Sequence, residues 1–209
     1  MELQNVTQAT DPQADEARYD ALRSANYALL GALLARPPAQ DLLTELATME
    51  MEGATDSPLD TAWRGLATTA ASADVQEVAD EYQQLFIGIG RGELVPYGSW
   101  YLTGFLMERP LTELRDDLSR LGFVRQEGVS EPEDHIAALC EVMAMLIADP
   151  ERAADYATQR TFFTTHIGPF VARFWRDLEQ AENTHFYRAV SQLGAAFTEL
   201  ETKYFSLPE

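Results

Sequence analysis

The chain has little that would favour catalysis, disulfide bonding or nucleic-acid binding. Cys140 is its only cysteine, which excludes a disulfide within the chain and a zinc site built from several thiolates, and indicates a reducing compartment. Only 15 basic residues face 34 acidic ones, giving a formal net charge of -19. Such a balance disfavours sequence-independent binding to nucleic-acid phosphates and favours a basic partner.

Long apolar runs are also missing. The longest, Val142 to Ala148, has seven residues, whereas a helix needs about 20 to span a bilayer. Residues 1–16 contain no lysine, arginine or apolar core of a signal peptide. We therefore predict that this chain carries no export leader of its own, does not insert into a membrane and is cytoplasmic.

Stretches with the alternation of a β-strand are almost absent, whereas good helix formers occur throughout. We predict an all-α fold of eight to ten helices in a single domain over 1–209, with residues 1–11 as a disordered tail. Start signals stand at Asp11-Pro12, Ser57-Pro58 and Asp74, and Pro37-Pro38 ends the first helix.

The middle of the chain is different because five of the twelve glycines fall between Gly88 and Gly104. This pattern predicts a loop with unusual backbone angles, followed by a short helical piece. Pro110 then opens a helix that runs to Leu121, with Gly122 at its end.

The last third has three further helix starts. Ser130-Glu131-Pro132-Glu133 predicts a capped start for an apolar helix from about Asp134 to Ala148. Asp149-Pro150-Glu151 predicts a restart, Gly168-Pro169 a break, and Asn183 the cap of a final helix reaching Tyr204.

Patterns that would indicate an enzyme are weak. Glu182 and His185 have the spacing of half a di-iron site, but no second such motif occurs. Gly88, Gly90 and Gly92 follow a predicted helix, whereas a dinucleotide-binding turn follows a strand. Neither a Walker lysine motif nor a GxSxG nucleophile turn is present. We predict no catalytic residue, no metal and no bound cofactor.

Two groups of residues have two interpretations each. Asp134 and His135 either tie the preceding loop to a helix start or offer polar groups to a ligand. The aromatic and aliphatic residues around the glycine-rich loop either fill the core or line a groove. Acids surround both groups, which would suit a basic peptide with apolar neighbours. The members of the second group are Tyr82, Leu85, Phe86, Pro96, Tyr97, Trp100 and Tyr101.

Three segments together resemble the TorD/DmsD chaperone family. They are YQQLFIGIGRGELVPYGSWYLTG (82–104), RPLTELRDDLSRLGF (109–123) and EPEDHIAALCEVMAML (131–146). The resemblance rests on the Tyr-x-x-Leu-Phe helix end, the Pro-Tyr-x-Ser-x-Tyr turn and the Glu-Pro-x-Asp-His helix start. It covers about 65 residues, and Tyr82 stands where some relatives carry tryptophan.

This resemblance implies a helical chaperone, not an enzyme, that binds the twin-arginine leader and the apo form of a molybdopterin oxidoreductase and delays export until cofactor insertion. Recognition of the mature client instead of its leader is the alternative. The family also implies weak GTP binding, and a monomer or a dimer that exchanges helices. On this interpretation, the peptide groove is lined or braced by Tyr82, Leu85, Phe86, Pro96, Tyr97, Ser99, Trp100, Asp134 and His135.

Overall fold

The computed structural model describes residues 12–49, 55–88, 92–125, 128, 131–149 and 153–207. These residues form helices joined by turns, and no strand occurs among them, which confirms the predicted all-α fold. Two single π-turns, Gln83–Ile87 and Phe163–Ile167, extend neighbouring helices. The α-helices are α1 Pro12–Ala35, α2 Gln40–Thr48, α3 Pro58–Ala71, α4 Val75–Tyr82, α5 Gly98–Thr103, α6 Arg109–Arg120, α7 Ile136–Ala148, α8 Tyr156–Phe162, α9 Gly168–Gln180 and α10 Phe186–Ser206.

Several helix ends lie where local sequence predicts them. The Ser57 hydroxyl accepts from the backbone N–H of Asp60 at 3.1 Å, and the Asp74 carboxylate accepts from two N–H groups of α4. Helix α1 ends at Ala35, just before the two prolines, and Gly122 adopts a φ of 79° beyond α6. These ends are set by residues within four positions, so they can be read from the sequence.

Two predicted boundaries were wrong. Helix α7 begins at Ile136 with His135 as its cap residue, so Asp134 lies before the helix. Helix α10 begins at Phe186 with His185 as its cap residue, not Asn183. The boundary predicted at Gly168-Pro169 is present, since α9 begins at Gly168, but a π-turn instead of a loop joins it to α8. Ser130, Pro150 and residues 1–11 lie outside the described part.

Helix α7 is the centre of the fold. It is apolar on nearly all sides, and Ile136, Leu139, Cys140, Met143 and Leu146 are each at most 1 % exposed. Helix α1 packs along it, and α10 packs against α9, α3 and α1. A helix that is apolar around its whole circumference must be surrounded by others, which is why α7 occupies this place.

A buried ion pair connects the first and last helices. Arg23 of α1 is 2 % exposed and binds both carboxylate oxygens of the fully buried Glu201 of α10, at 2.7 and 2.8 Å. Its third nitrogen donates to Gln159 of α8, and its guanidinium stacks on the Tyr204 ring at 4.3 Å. The two buried charges are paired by two parallel hydrogen bonds, and buried charges need such pairing to offset the loss of hydration.

None of the described helices combines the length and apolar content that crossing a bilayer requires.

Candidate functional site

The glycine-rich region and the Glu-Pro-x-Asp-His segment meet in a short antiparallel contact. The Gly98 N–H donates to the Asp134 carbonyl oxygen at 2.9 Å, and the Ile136 N–H donates to the Pro96 oxygen at 2.9 Å. Tyr97 and His135 therefore stand opposite each other as an isolated bridge pair. We call this contact of 96–99 with 134–136 the junction. It brings together motif residues that lie more than thirty positions apart in the sequence.

The Asp134 side chain holds the start of α5. Its Oδ2 accepts from the Ser99 backbone N–H at 2.8 Å, and the residue is 3 % exposed. The other carboxylate oxygen and the Ser99 hydroxyl are buried and have no hydrogen-bond partner among the described residues. Asp134 thus caps α5 by accepting from a backbone N–H that lies 35 positions earlier in the chain, and its second oxygen takes no part in the cap.

His135 performs the same task for α7. Its Nδ1 accepts from the Ala137 N–H at 3.1 Å, so the neutral ring carries its proton on Nε2. Burial lowers the pKa of His135 to about 4. The ring meets that of Tyr97 edge to face, with 5.1 Å between centroids, and the Tyr97 hydroxyl donates to the Glu131 carboxylate. His135 is therefore a neutral cap residue at ordinary pH.

The Tyr-x-x-Leu-Phe segment forms the π-turn at the end of α4. The Tyr82 hydroxyl donates to the Ala35 oxygen at 2.9 Å, so it satisfies a carbonyl at the end of α1. Leu85 is fully buried, and the Phe86 ring lies 4.9 Å from that of Tyr82. Gly92 approaches this turn so closely that a Cβ would lie 2.5 Å from the Phe86 carbonyl carbon. Only glycine fits there.

The nine predicted peptide-binding residues differ in exposure. Phe86, Tyr97 and Trp100 are half-buried. The half-buried Trp100 lines a cleft of about 310 Å³ together with Tyr101 and Asp177. The other six occupy the interior, where they can brace a groove but not line one. They are Tyr82, Leu85, Pro96, Ser99, Asp134 and His135.

Most acids that the sequence places around this region already have a partner. Glu93 accepts from the Glu182 N–H at 2.8 Å. Glu133 binds Arg115 at 2.8 Å and Arg125 at 3.5 Å. Burial raises the pKa of Glu133, but Arg115 and Arg125 outweigh it and the pKa is lowered. Glu131 differs, since burial raises its pKa without a compensating cation.

Sequence reasoning missed the role of Glu81. Its Oε1 accepts from the N–H groups of His185 at 2.9 Å and Tyr187 at 2.7 Å, and its Oε2 accepts from that of Phe186 at 3.0 Å. The Glu81 carboxylate, on α4, thus caps α10. A negative charge at the start of a helix also interacts favourably with the helix dipole. No signal near Asn183 could reveal a cap residue more than 100 positions away.

A second feature missed from the sequence is an open trough between α6 and α7. It has a volume of about 520 Å³, and residues of the 123–125 and 131–133 segments also line it. Helices α6 and α7 are not among the closely packed pairs of described helices. Its apolar walls are formed by Leu118, Phe123, Val124, Ala138, Val142 and Met145.

Metal chemistry finds no support in the part of the chain that the structure describes, where no three acidic, histidine or cysteine side chains are grouped to hold an ion. His185 is exposed at the start of α10, as expected of a surface or cap residue. His166 is buried, and its Nε2 lies 2.7 Å from the Asp117 carboxylate.

Comparison with known proteins defines the class. The chain is 25% identical to the chaperone protein TorD of Vibrio atlanticus over 211 residues, which covers 92% of this chain and 98% of that protein. It is 32% identical over 120 residues to a Haemophilus influenzae protein described as a probable Tat proofreading chaperone DmsD, covering 56% and 57%. Both relatives are described as chaperones.

The chain belongs to the family whose model is described as nitrate reductase delta subunit, which matches residues 52–176. This result confirms the resemblance seen in the motif segments. The fold is also that of a crystal structure described as a putative redox enzyme maturation protein from Archaeoglobus fulgidus, with a TM-score of 0.54 at 22% identity. That match covers 85% of this chain and 94% of the other.

Proposed function

We propose that this chain is a cytoplasmic maturation chaperone that binds the twin-arginine leader of a molybdopterin oxidoreductase. It holds the apo enzyme back from export until the cofactor has been inserted. The protein itself carries out no reaction and needs no cofactor. Weak GTP binding is a subsidiary prediction, which a titration with and without the nucleotide tests.

One observation carries this proposal: two of the three motif segments, 82–104 and 131–146, meet in space at the junction. Such convergence is expected if the segments build one site, and the TorD and DmsD relatives, described as chaperones, supply the kind of partner. The net charge of -19 favours a partner with paired arginines, because long-range attraction accelerates encounter with a cationic peptide.

Calorimetric titration tests the proposal. The full chain is titrated with leader peptides of molybdoenzymes encoded beside its gene, and with the same peptides carrying Ala-Ala in place of Arg-Arg. We expect saturable binding that weakens with salt and is lost with the Ala-Ala peptides. A folded protein that binds none of the leaders would contradict leader recognition.

Recognition of the mature client is the second candidate function. The end of α5 and the segment after it expose a group of apolar side chains, Leu102, Phe105, Leu106 and Met107, with Phe105 at 68% and Met107 at 70% exposure. Contiguous exposed apolar residues are typical of protein contact surfaces. Co-purification with a client lacking its leader, lost on Phe105→Ser with Met107→Ser, would favour this function.

A further inference from the structure

We propose that the trough between α6 and α7 is the docking site for the apolar part of the leader peptide, whose arginines then lie beside Glu131 and Glu141. This inference rests on the proposed function. It moves the binding surface away from the buried motif residues to an accessible surface next to them.

The shape of the trough suits side chains of an extended or helical peptide. Its volume of about 520 Å³ lies within the range of about 300–1,000 Å³ that is usual for ligand pockets. Ala138, Val142 and Met145 of α7 follow the spacing of one helix face, and Leu118 of α6 lies across from them. Val124 at the open side is 87% exposed. Apolar side chains from a partner would bury this surface.

The charges on the rim select a cationic partner. Arg115 and Arg125 both bind the carboxylate of Glu133, so the cations of the rim are already neutralised in part. Glu131 and Glu141 make no ion pair with any described residue. An apolar peptide that carries arginines at one end therefore complements this rim, whereas an acidic peptide is repelled by two carboxylates and by the net charge of the chain.

The trough is connected to the junction through the 131–133 segment. The Tyr97 hydroxyl donates to the Glu131 carboxylate, and the Pro132 carbonyl accepts from the His135 N–H at 3.2 Å. His135 thus contacts the 131–133 segment through its N–H, and Asp134 holds residues 98–99 beside Tyr97, so both act as positioning residues that do not touch the peptide. This connection explains how buried motif residues can affect a binding surface that they do not themselves form.

A reporter at the trough tests occupancy directly. Val124→Cys introduces an exposed thiol, while Cys140 is 1% exposed and burial raises its pKa to about 12, so a maleimide dye labels the new cysteine selectively. Addition of the leader peptide should shift the dye emission saturably, with the midpoint given by calorimetry. An unchanged emission during calorimetrically detected binding would overturn the trough assignment.

A blocking substitution tests necessity. Ser119→Trp places a large side chain into the trough from an exposed position on α6, and Ala195→Trp makes the same kind of change at an exposed position on α10. We expect at least tenfold weaker leader binding for the first variant and wild-type binding for the second. Equal binding by S119W and wild type would refute the trough while leaving the proposed function intact. Wild-type protein that binds no leader would refute both.

A second pair of variants tests the contribution of charge. Glu141→Gln should weaken the Arg-Arg leader several-fold at low salt and reduce the salt dependence, whereas Glu45→Gln on α2 should leave both unchanged. The Ala-Ala peptide should not distinguish E141Q from wild type. Equal losses for E141Q and E45Q would show that only the overall charge attracts the peptide, and would overturn the placement of the arginines.

Discussion

Asp134 and Glu81 have the same structural role at two different helix starts, α5 and α10, and they use their oxygens differently. Each is an acid that caps the start of a helix remote in sequence. Glu81 accepts from three backbone N–H groups of 185–187 with both oxygens, whereas Asp134 accepts from one N–H and leaves Oδ1 buried without a partner among the described residues. Only Asp134 lies in a segment that resembles the family motif.

The difference shows that a residue outside the family motif can contribute more to stability than one inside it. The Glu81 cap is the more complete one, although nothing in its sequence surroundings marks it. The Asp134 cap is less complete but stands at the junction, where it holds the start of α5 next to the residues that contact the 131–133 segment. We infer that Glu81 serves mainly stability and Asp134 mainly the geometry of the binding region, and four changes test this comparison.

The largest effect is expected for Glu81→Ala. It removes the acceptor of three N–H groups at the start of α10, so the free energy of unfolding should fall by about 3 kcal/mol. Urea unfolding at pH 7 measures this loss. Glu77→Ala, one turn earlier on α4 and exposed, is the matched control and should cost far less. Similar costs for both would contradict the capping role of Glu81.

Asp134→Ala should have the next largest effect. It leaves the Ser99 N–H without its acceptor in the interior, at a cost of about 2 kcal/mol, which is less than for Glu81→Ala. The same urea experiment compares the two. Leader affinity should also fall, because the start of α5 loses its acceptor beside Tyr97, whose hydroxyl binds Glu131. A cost above that of Glu81→Ala would reverse the proposed division of roles.

The lowered pKa of His135 predicts that the free energy of unfolding depends on pH. Its pKa is lowered to about 4 in the folded protein and returns to about 6.5 on unfolding, so its contribution to stability is complete above pH 6.5 and is lost as pH falls towards 4. Between pH 7 and 5 the loss should be about 1.5 kcal/mol. His135→Asn keeps an acceptor for the Ala137 N–H but does not titrate. Urea unfolding of this variant should show a pH dependence smaller by that amount, and an unchanged dependence would refute a neutral buried imidazole.

The smallest effect is expected for Asp134→Asn. The amide oxygen can still accept from the Ser99 N–H, and the amide NH₂ replaces the buried Oδ1, so stability should change by less than about 1 kcal/mol. Leader binding should stay within about twofold of wild type in calorimetry. A tenfold loss of binding in a stable variant would mean that the Asp134 charge itself contacts the leader arginines.

The sequence by itself determined the helical class, the family and the helix ends that depend on near neighbours. Ser57, Asp74 and Gly122 act on backbone groups within four positions, so their effect can be predicted from the neighbouring sequence. The largely apolar sequence of α7 likewise requires a central place, because most sides of such a helix need apolar neighbours. Which motif residues would face a ligand could not be read in this way, because a buried and a groove-lining aromatic have the same spacing.

Tertiary structure alone decided the cap of α10 by Glu81, the Arg23–Glu201 pair and the burial of Asp134 and His135. In each case the partners are joined by proximity in space across more than thirty positions of sequence. A carboxylate accepts from whichever donors the fold brings within about 3 Å, and only packing of the helices determines which donors those are. The open trough has the same origin, because it exists where two apolar helix faces lie close together without packing against each other.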